Sequence, residues 1–178
     1  AILPSEAIKG EGGKFNFQVR LVKQKSYRIV FWAEDKDNSM STINWKEQTL
    51  KLKDNLYANQ EAYDAFWAYK NVTIQGATEE TVYLTRPFAQ LNIGVSNEDW
   101  DAAEAAGIEI QNSKVVVKNV PTTMNIITGT VDAEDDVTYN ASALPKTHNE
   151  DEFAFPVGIN KYLALNYVLV GKEKSLIN

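Results

Sequence analysis

Apolar and polar residues alternate along much of this chain at the period of a β-strand. In Lys14–Val22, Phe15, Phe17, Val19 and Leu21 fall on one side and Lys14, Asn16, Gln18 and Arg20 on the other. That pattern predicts a half-buried strand with one wet face. Ser26–Glu34 sets Tyr27, Ile29, Phe31 and Ala33 against Val30 and Trp32, which suits a more central strand. Few polar residues separate the two runs, so a hairpin through Gln24-Lys25 is expected. Thr49–Lys53 points Leu50 and Leu52 inward and its lysines outward, as a short exposed edge strand would. Further strands are expected at Ile108–Gln111, at Lys114–Val120 with burial on both faces, at Thr122–Val131 beyond an interruption at Pro121, and at Lys161–Gly171. Asp132–Asp136 reads as an acidic turn and Tyr139–Asp151 as a polar, irregular stretch.

The run Thr81–Val95 (TVYLTRPFAQLNIGV) changes parity. Val82 and Leu84 fall on even positions, whereas Ala89, Leu91, Ile93 and Val95 fall on odd ones. Side chains that alternate between faces can change parity only if a residue is inserted or lost. Arg86-Pro87 is the expected joint, because proline donates nothing to a ladder and sits at strand starts, edges and bulges. Leu84 and Leu91 should both be buried, with a switch of register or sheet between them.

Two segments show a helical period instead. Ala62, Phe66 and Tyr69 recur at helical spacing, as do Tyr63 and Trp67, with Asn59 as N-cap, which predicts a helix over Asn59–Tyr69. Ser96 and Asp99 are spaced as a capping box ahead of an alanine-rich run that stops at Gly107. The whole reads as a mainly β chain of about seven to eight strands with two short helical insertions. A single domain is expected over residues 1–171, with 172–178 as the start of a continuation.

Composition narrows the chemistry. The chain has 178 residues, a net charge of −6 and no cysteine. An acidic chain is a poor partner for a phosphate backbone, so nucleic acid is not expected. Without cysteine there is no disulfide, thiol nucleophile or thiolate metal site. The one histidine, His148, lies in a polar stretch with no evident orienting partner, and reads as solvated rather than as a catalytic base. Glu34–Ser39 (EDKDNS) begins like a calcium loop. It has Met40 where the glycine belongs and Lys46 where the last glutamate belongs, so an acidic hairpin tip is expected. Neither an enzymatic activity nor a metal or other cofactor is expected. Trp45, Trp67 and Trp100 lie near predicted loops or helices, where a sugar could stack; core packing is the competing reading for Trp67 and Trp100.

Ile29–Glu34 (IVFWAE), Leu84–Gly94 (LTRPFAQLNIG), Val115–Val131 (VVVKNVPTTMNIITGTV) and Tyr162–Gly171 (YLALNYVLVG) together resemble, in order and spacing, the fimbrillin-like surface proteins of Bacteroidia, the subunits and relatives of type V pili. The resemblance implies a transthyretin-like antiparallel β-sandwich, exported as a lipoprotein and displayed at the outer membrane, with the membrane engaged only through a lost lipid anchor. It also implies assembly with other pilus subunits by donor-strand addition, in which an extended segment completes an open sheet edge. The expected strand-exchange edge is Phe15, Phe17, Val19 and Leu21. Surface glycans or proteins are the further expected partners. The alternative expectation is a non-polymerising carbohydrate-binding module with Trp45 and Trp67 as glycan contacts.

Overall fold

The computed structural model describes residues 8–9, 14–145 and 158–172. Strand accounts for 52% and helix for 8%, so the mainly β class read from the alternation holds. In chain order the first strands are β1 (Ile8–Lys9), β2 (Phe15–Asn16), β3 (Lys25–Glu34), β4 (Ser41–Asn44), β5 (Thr49–Leu52) and β6 (Leu56–Tyr57). There follow β7 (Ala65–Ile74), β8 (Phe88–Val95), helix α1 (Asn97–Ala105), β9 (Asn112–Asn125), β10 (Val131–Ala143) and β11 (Lys161–Leu169). The chain divides into two units: Ala1–Ile29 with Lys70–Thr81, and Val30–Tyr69 with Val82–Asn178. β3 and β7 pair with each other, and each has residues in both units.

In the first unit β1 lies antiparallel to β2, Lys9 opposite Phe15. The strand expected over Lys14–Val22 goes no further than Asn16. Among the described residues Phe17–Val22 joins no ladder, and Phe15, Phe17 and Val19 are 52%, 44% and 49% exposed. Alternation makes a segment competent to be a strand, but a strand forms only against a partner, and the described residues supply none over Phe17–Val22. The hairpin expected at Gln24-Lys25 is also replaced. Gln24 adopts a left-handed backbone (φ 58°) and donates its N–H to the Ile74 carbonyl at 2.7 Å, which launches β3 alongside β7.

The second unit is built on a five-stranded sheet in the order β4-β5-β9-β10-β6, with β8 and β11 forming a separate antiparallel pair. Leu50, Met124, Val137 and Tyr139 from the large sheet and Phe88, Leu165, Tyr167 and Leu169 from the pair share one buried cluster. The Tyr139 hydroxyl donates to the Tyr167 carbonyl, and burial pushes that hydroxyl's pKa well above its ordinary value. Leu50 and Leu52 are buried as expected, but β5 is flanked by β4 and β9 and is not an edge. Its one lysine, Lys51, is exposed from inside the sheet, and Lys53 just beyond it donates to the Ser39 carbonyl at 2.6 Å.

Several boundaries differ from the sequence reading. The helix expected over Asn59–Tyr69 is a single 3₁₀ turn, Glu61–Tyr63, followed by β7. Phe66, Trp67, Tyr69, Val72, Thr73 and Ile74 are aromatic or β-branched and prefer a pleated surface, which overrides a partial helical spacing. Asn59 is a cross-link and not an N-cap. With φ 61°, it donates from Nδ2 to the Ala143 carbonyl at 2.8 Å and accepts the Leu165 N–H at 2.9 Å. Ile108–Gln111 is not a strand, and β9 runs through Pro121 unbroken. β5 pairs with β9 only over Thr123–Asn125, so Pro121 sits where β9 is laddered on one side alone and a missing donor is tolerated. The strand expected over Thr122–Val131 breaks at a turn over Ile126–Thr128, whereas Asp132–Asp136 and Tyr139–Ala143 belong to β10. Val116 is 48% exposed, so that part of β9 has one wet face. His148 lies outside the described residues.

The joint at Arg86-Pro87 is real. Trp67 and Thr85 exchange backbone hydrogen bonds at 2.8 and 2.9 Å, and immediately beyond Pro87 the chain pairs with β11 instead. The strand expected ahead of the joint shrinks to that single bridge, and Leu84, expected inside, is 37% exposed. Leu91 packs partly buried against the core.

Helix α1 follows its capping signals. Ser96 Oγ accepts the Asp99 N–H at 3.1 Å and donates to the Asp99 carboxylate at 2.7 Å. At the other end Ile108 donates to Ala103 and Gly107, at φ 77°, donates to Glu104, the paired bonds of a Schellman motif. The helix buries no residue fully, so its caps carry an unusual share of its stability. Ser96→Ala should cost the helix about 1 kcal/mol. Amide hydrogen exchange at Asp99 is the measurement, and unchanged protection there would refute the role of the cap.

Candidate functional site

Two features of the second unit and one of the first merit a functional reading. The first is a surface depression of about 330 Å³ whose lining comes from four stretches of chain in the second unit. β7 gives Trp67 and Tyr69, the segment before the proline joint gives Tyr83, Thr85 and Arg86, a turn gives Thr128, and the end of β11 leads into Gly171 and Lys172.

Its floor is rigid. Trp67 is 6% exposed and its indole N–H donates to the Ile126 carbonyl at 2.9 Å. The adjoining turn is fixed by Asn125, whose side-chain oxygen accepts the N–H groups of Ile127 and Thr128 at 2.9 and 3.0 Å. Lys172 donates its backbone N–H to Gly129, and Val170 and Gly171 both donate to the Pro87 carbonyl, each at 2.9 Å. A Cβ at Gly129 would stand 2.9 Å from the Trp67 ring, so the absence of a side chain there lets the turn close over the indole.

Arg86 is held from two sides. Its Nε donates to both oxygens of Asp64 at 2.9 Å, Nη2 lies 2.8 Å from the same carboxylate, and the guanidinium sits 5.0 Å from the centre of the Phe66 ring. The Asp64 hydrogen bonds raise the arginine's pKa further, which keeps it charged at any working pH. Tyr83 stands on the rim and is 84% exposed.

The residues singled out from sequence are scattered. Trp67 is core and floor, not an exposed stacking platform. Trp45 follows β4 in the link to β5 and is 41% exposed. Trp100 is half-buried on α1 with the Lys161 ammonium 4.3 Å from its ring centre. The acidic segment after β3 is closed on itself: Asp35 accepts the N–H groups of Asp37 and Asn38, each at 2.9 Å, which lowers its pKa. Among the described residues no group of three acidic or histidine side chains is placed to hold a metal. In the first unit Phe15, Phe17 and Val19 are exposed and Leu21 is half-buried on a segment without a ladder beyond Asn16.

Tyr83, Arg86, Thr128 and Lys172 were not evident as one site from sequence. The exposure of Tyr83 does not follow from alternation, since no strand forms over 81–84 and its neighbour Leu84 is itself 37% exposed.

A family model described as "Family of unknown function (DUF6562)" matches residues 3–178. No curated protein and no solved structure matches the chain.

Proposed function

We propose that this chain, which belongs to the DUF6562 family, is a structural or adhesive cell-surface protein, a fimbrial subunit or accessory tip or anchor component, that assembles by β-strand addition. The proposal extends to a transthyretin-like sandwich at the outer membrane. The observation that carries it is the segment Lys14–Val22, which keeps a strand's alternation while leaving Phe15, Phe17 and Val19 about half exposed. Full burial of such a side chain is worth about 1.5–3 kcal/mol, so roughly 1 kcal/mol per residue remains to be gained here. A strand from another copy would supply both missing requirements, main-chain hydrogen bonds and apolar pockets for alternate side chains. The resemblance in the segments around IVFWAE and RPFAQLNIG supports the same reading.

Sedimentation velocity and negative-stain electron microscopy of the full-length protein test it. Oligomers or filaments that disappear in Phe17→Asp and Val19→Asp are expected. A chain that stays monomeric at every concentration, or variants that assemble unchanged, would overturn it. A second reading, a non-polymerising carbohydrate-binding module, is favoured by the exposure of Trp45. Loss of glycan retention in Trp45→Ala, from a chain that never assembles, would establish it in place of the first.

A further inference from the structure

The chain is acidic overall, with 24 carboxylate side chains against 18 lysines and arginines, yet both charged residues lining the depression, Arg86 and Lys172, are cations. Asp64 occupies Nε and Nη2 of Arg86 and leaves Nη1 outside that pairing. Among the described residues Lys172 makes no ion pair with a carboxylate. Pairing with Asp64 and stacking on Phe66 hold the guanidinium in place, so little conformational entropy is lost when a ligand meets it. Tyr83 adds an aromatic face left almost wholly in solvent, and Thr128 adds a hydroxyl. At about 330 Å³ the depression is at the low end of the roughly 300–1,000 Å³ of small-molecule sites. That is room for one ring, not an extended chain.

We infer that this depression binds a carboxylated sugar, a single uronic or sialic acid unit as a free glycoside or glycan terminus. Tyr83 stacks on the ring, Lys172 and the free edge of Arg86 take the carboxylate, and Thr128 meets a ring hydroxyl. An aromatic face alone would not prefer an acidic sugar to a neutral one, and cations alone would not distinguish it from any small anion. The combination specifies both properties. The site lies within the second unit and needs no assembly, so it stands apart from strand addition.

Isothermal titration and ligand-observed NMR on the full chain provide the test. The probes are methyl glucuronide, methyl galacturonide and the methyl glycoside of N-acetylneuraminic acid, with methyl glucoside and methyl galactoside as neutral partners. At least one acidic glycoside should bind about tenfold more tightly than the neutral ones. Tyr83→Ala should weaken it about tenfold, and Lys172→Ala should erase the preference for the acidic sugar. Both side chains are exposed, and an unchanged melting temperature will show that the variants fold. No binding across the acidic panel, equal binding of neutral sugars, indifference to Tyr83→Ala, or displacement by inorganic phosphate at equal concentration would each overturn the inference.

Discussion

Trp67→Ala should lower the unfolding free energy of the second unit by about 3–5 kcal/mol, the range for deleting a buried aromatic. Three contributions act together. The indole is 6% exposed and belongs to the main core cluster, so its removal leaves a cavity between β7 and the Ile126–Gly129 turn. The Ile126 carbonyl loses the indole N–H that satisfies it at 2.9 Å. An unpaired buried carbonyl costs about 1–3 kcal/mol by itself. The turn then has nothing to close on. Trp67→Phe restores much of the volume but not the donor, and should fall between the two, at about 1–2 kcal/mol below the native chain. Urea unfolding followed by far-ultraviolet circular dichroism measures all three proteins. A loss below about 1 kcal/mol for Trp67→Ala would mean that the indole is not the keystone of this floor.

That ranking bears on how ligand binding should be read. Trp67→Ala would abolish binding at the depression by dismantling it, whatever the ligand. Tyr83, at 84% exposure, carries no comparable structural role, and its loss reports on contact alone. The indole sits at a helical spacing from Tyr63, and in sequence that spacing sets a helix against a strand. The strand wins because the six aromatic or β-branched residues of β7 share a preference that the short helical pattern cannot outweigh. On β7 and 6% exposed, Trp67 offers no face for a glycan to stack on.

Where local chemistry decides the structure, the chain was legible. Ser96, Asp99 and Gly107 specify both ends of α1, since caps depend on a few neighbouring groups and on nothing distant. Pro87 likewise marks the change of partner between Trp67 and β11. Leu50 and Leu52 are buried as alternation requires, whereas 164–170 is buried on both faces, Asn166 included, although its sequence alternates. What local pattern cannot supply is the partner. Phe15, Phe17 and Val19 alternate as cleanly as any buried strand and remain exposed, while Thr49–Leu52 looks like an edge and is enclosed by β4 and β9. Pro121 looks like a break in the sequence because the one-sided pairing of β9 is a property of register and not of local pattern. The depression was hidden for the same reason. It joins β7, the proline joint, the Asn125 turn and the end of β11, four stretches whose meeting follows from non-local pairing.

Gly171→Ala should destabilise the second unit by about 2–5 kcal/mol, through strain and collision at one point. The residue has φ 64°, a conformation that costs an L side chain about 1–2 kcal/mol. A Cβ there would also stand 2.4 Å from the Gly129 carbonyl oxygen and 2.6 Å from a methyl of Val131. Overpacking of this kind typically costs a further 1–3 kcal/mol, and backbone oxygen cannot rotate aside as a side chain can. The same carbonyl accepts the Lys172 N–H, so moving it loosens the seam that ties the end of β11 to the turn. Two other glycines separate the contributions. Gly107 has φ 77° with nothing within 4 Å of a would-be Cβ, so Gly107→Ala should cost only the conformational part, about 1 kcal/mol. Gly76 has open space and no positive φ, and Gly76→Ala should change stability by less than about 0.5 kcal/mol. The order Gly171, Gly107, Gly76 in urea midpoints is the expected result. Equal losses at Gly171 and Gly107 would show that the carbonyl yields freely and that the floor of the depression is softer than its hydrogen bonds imply.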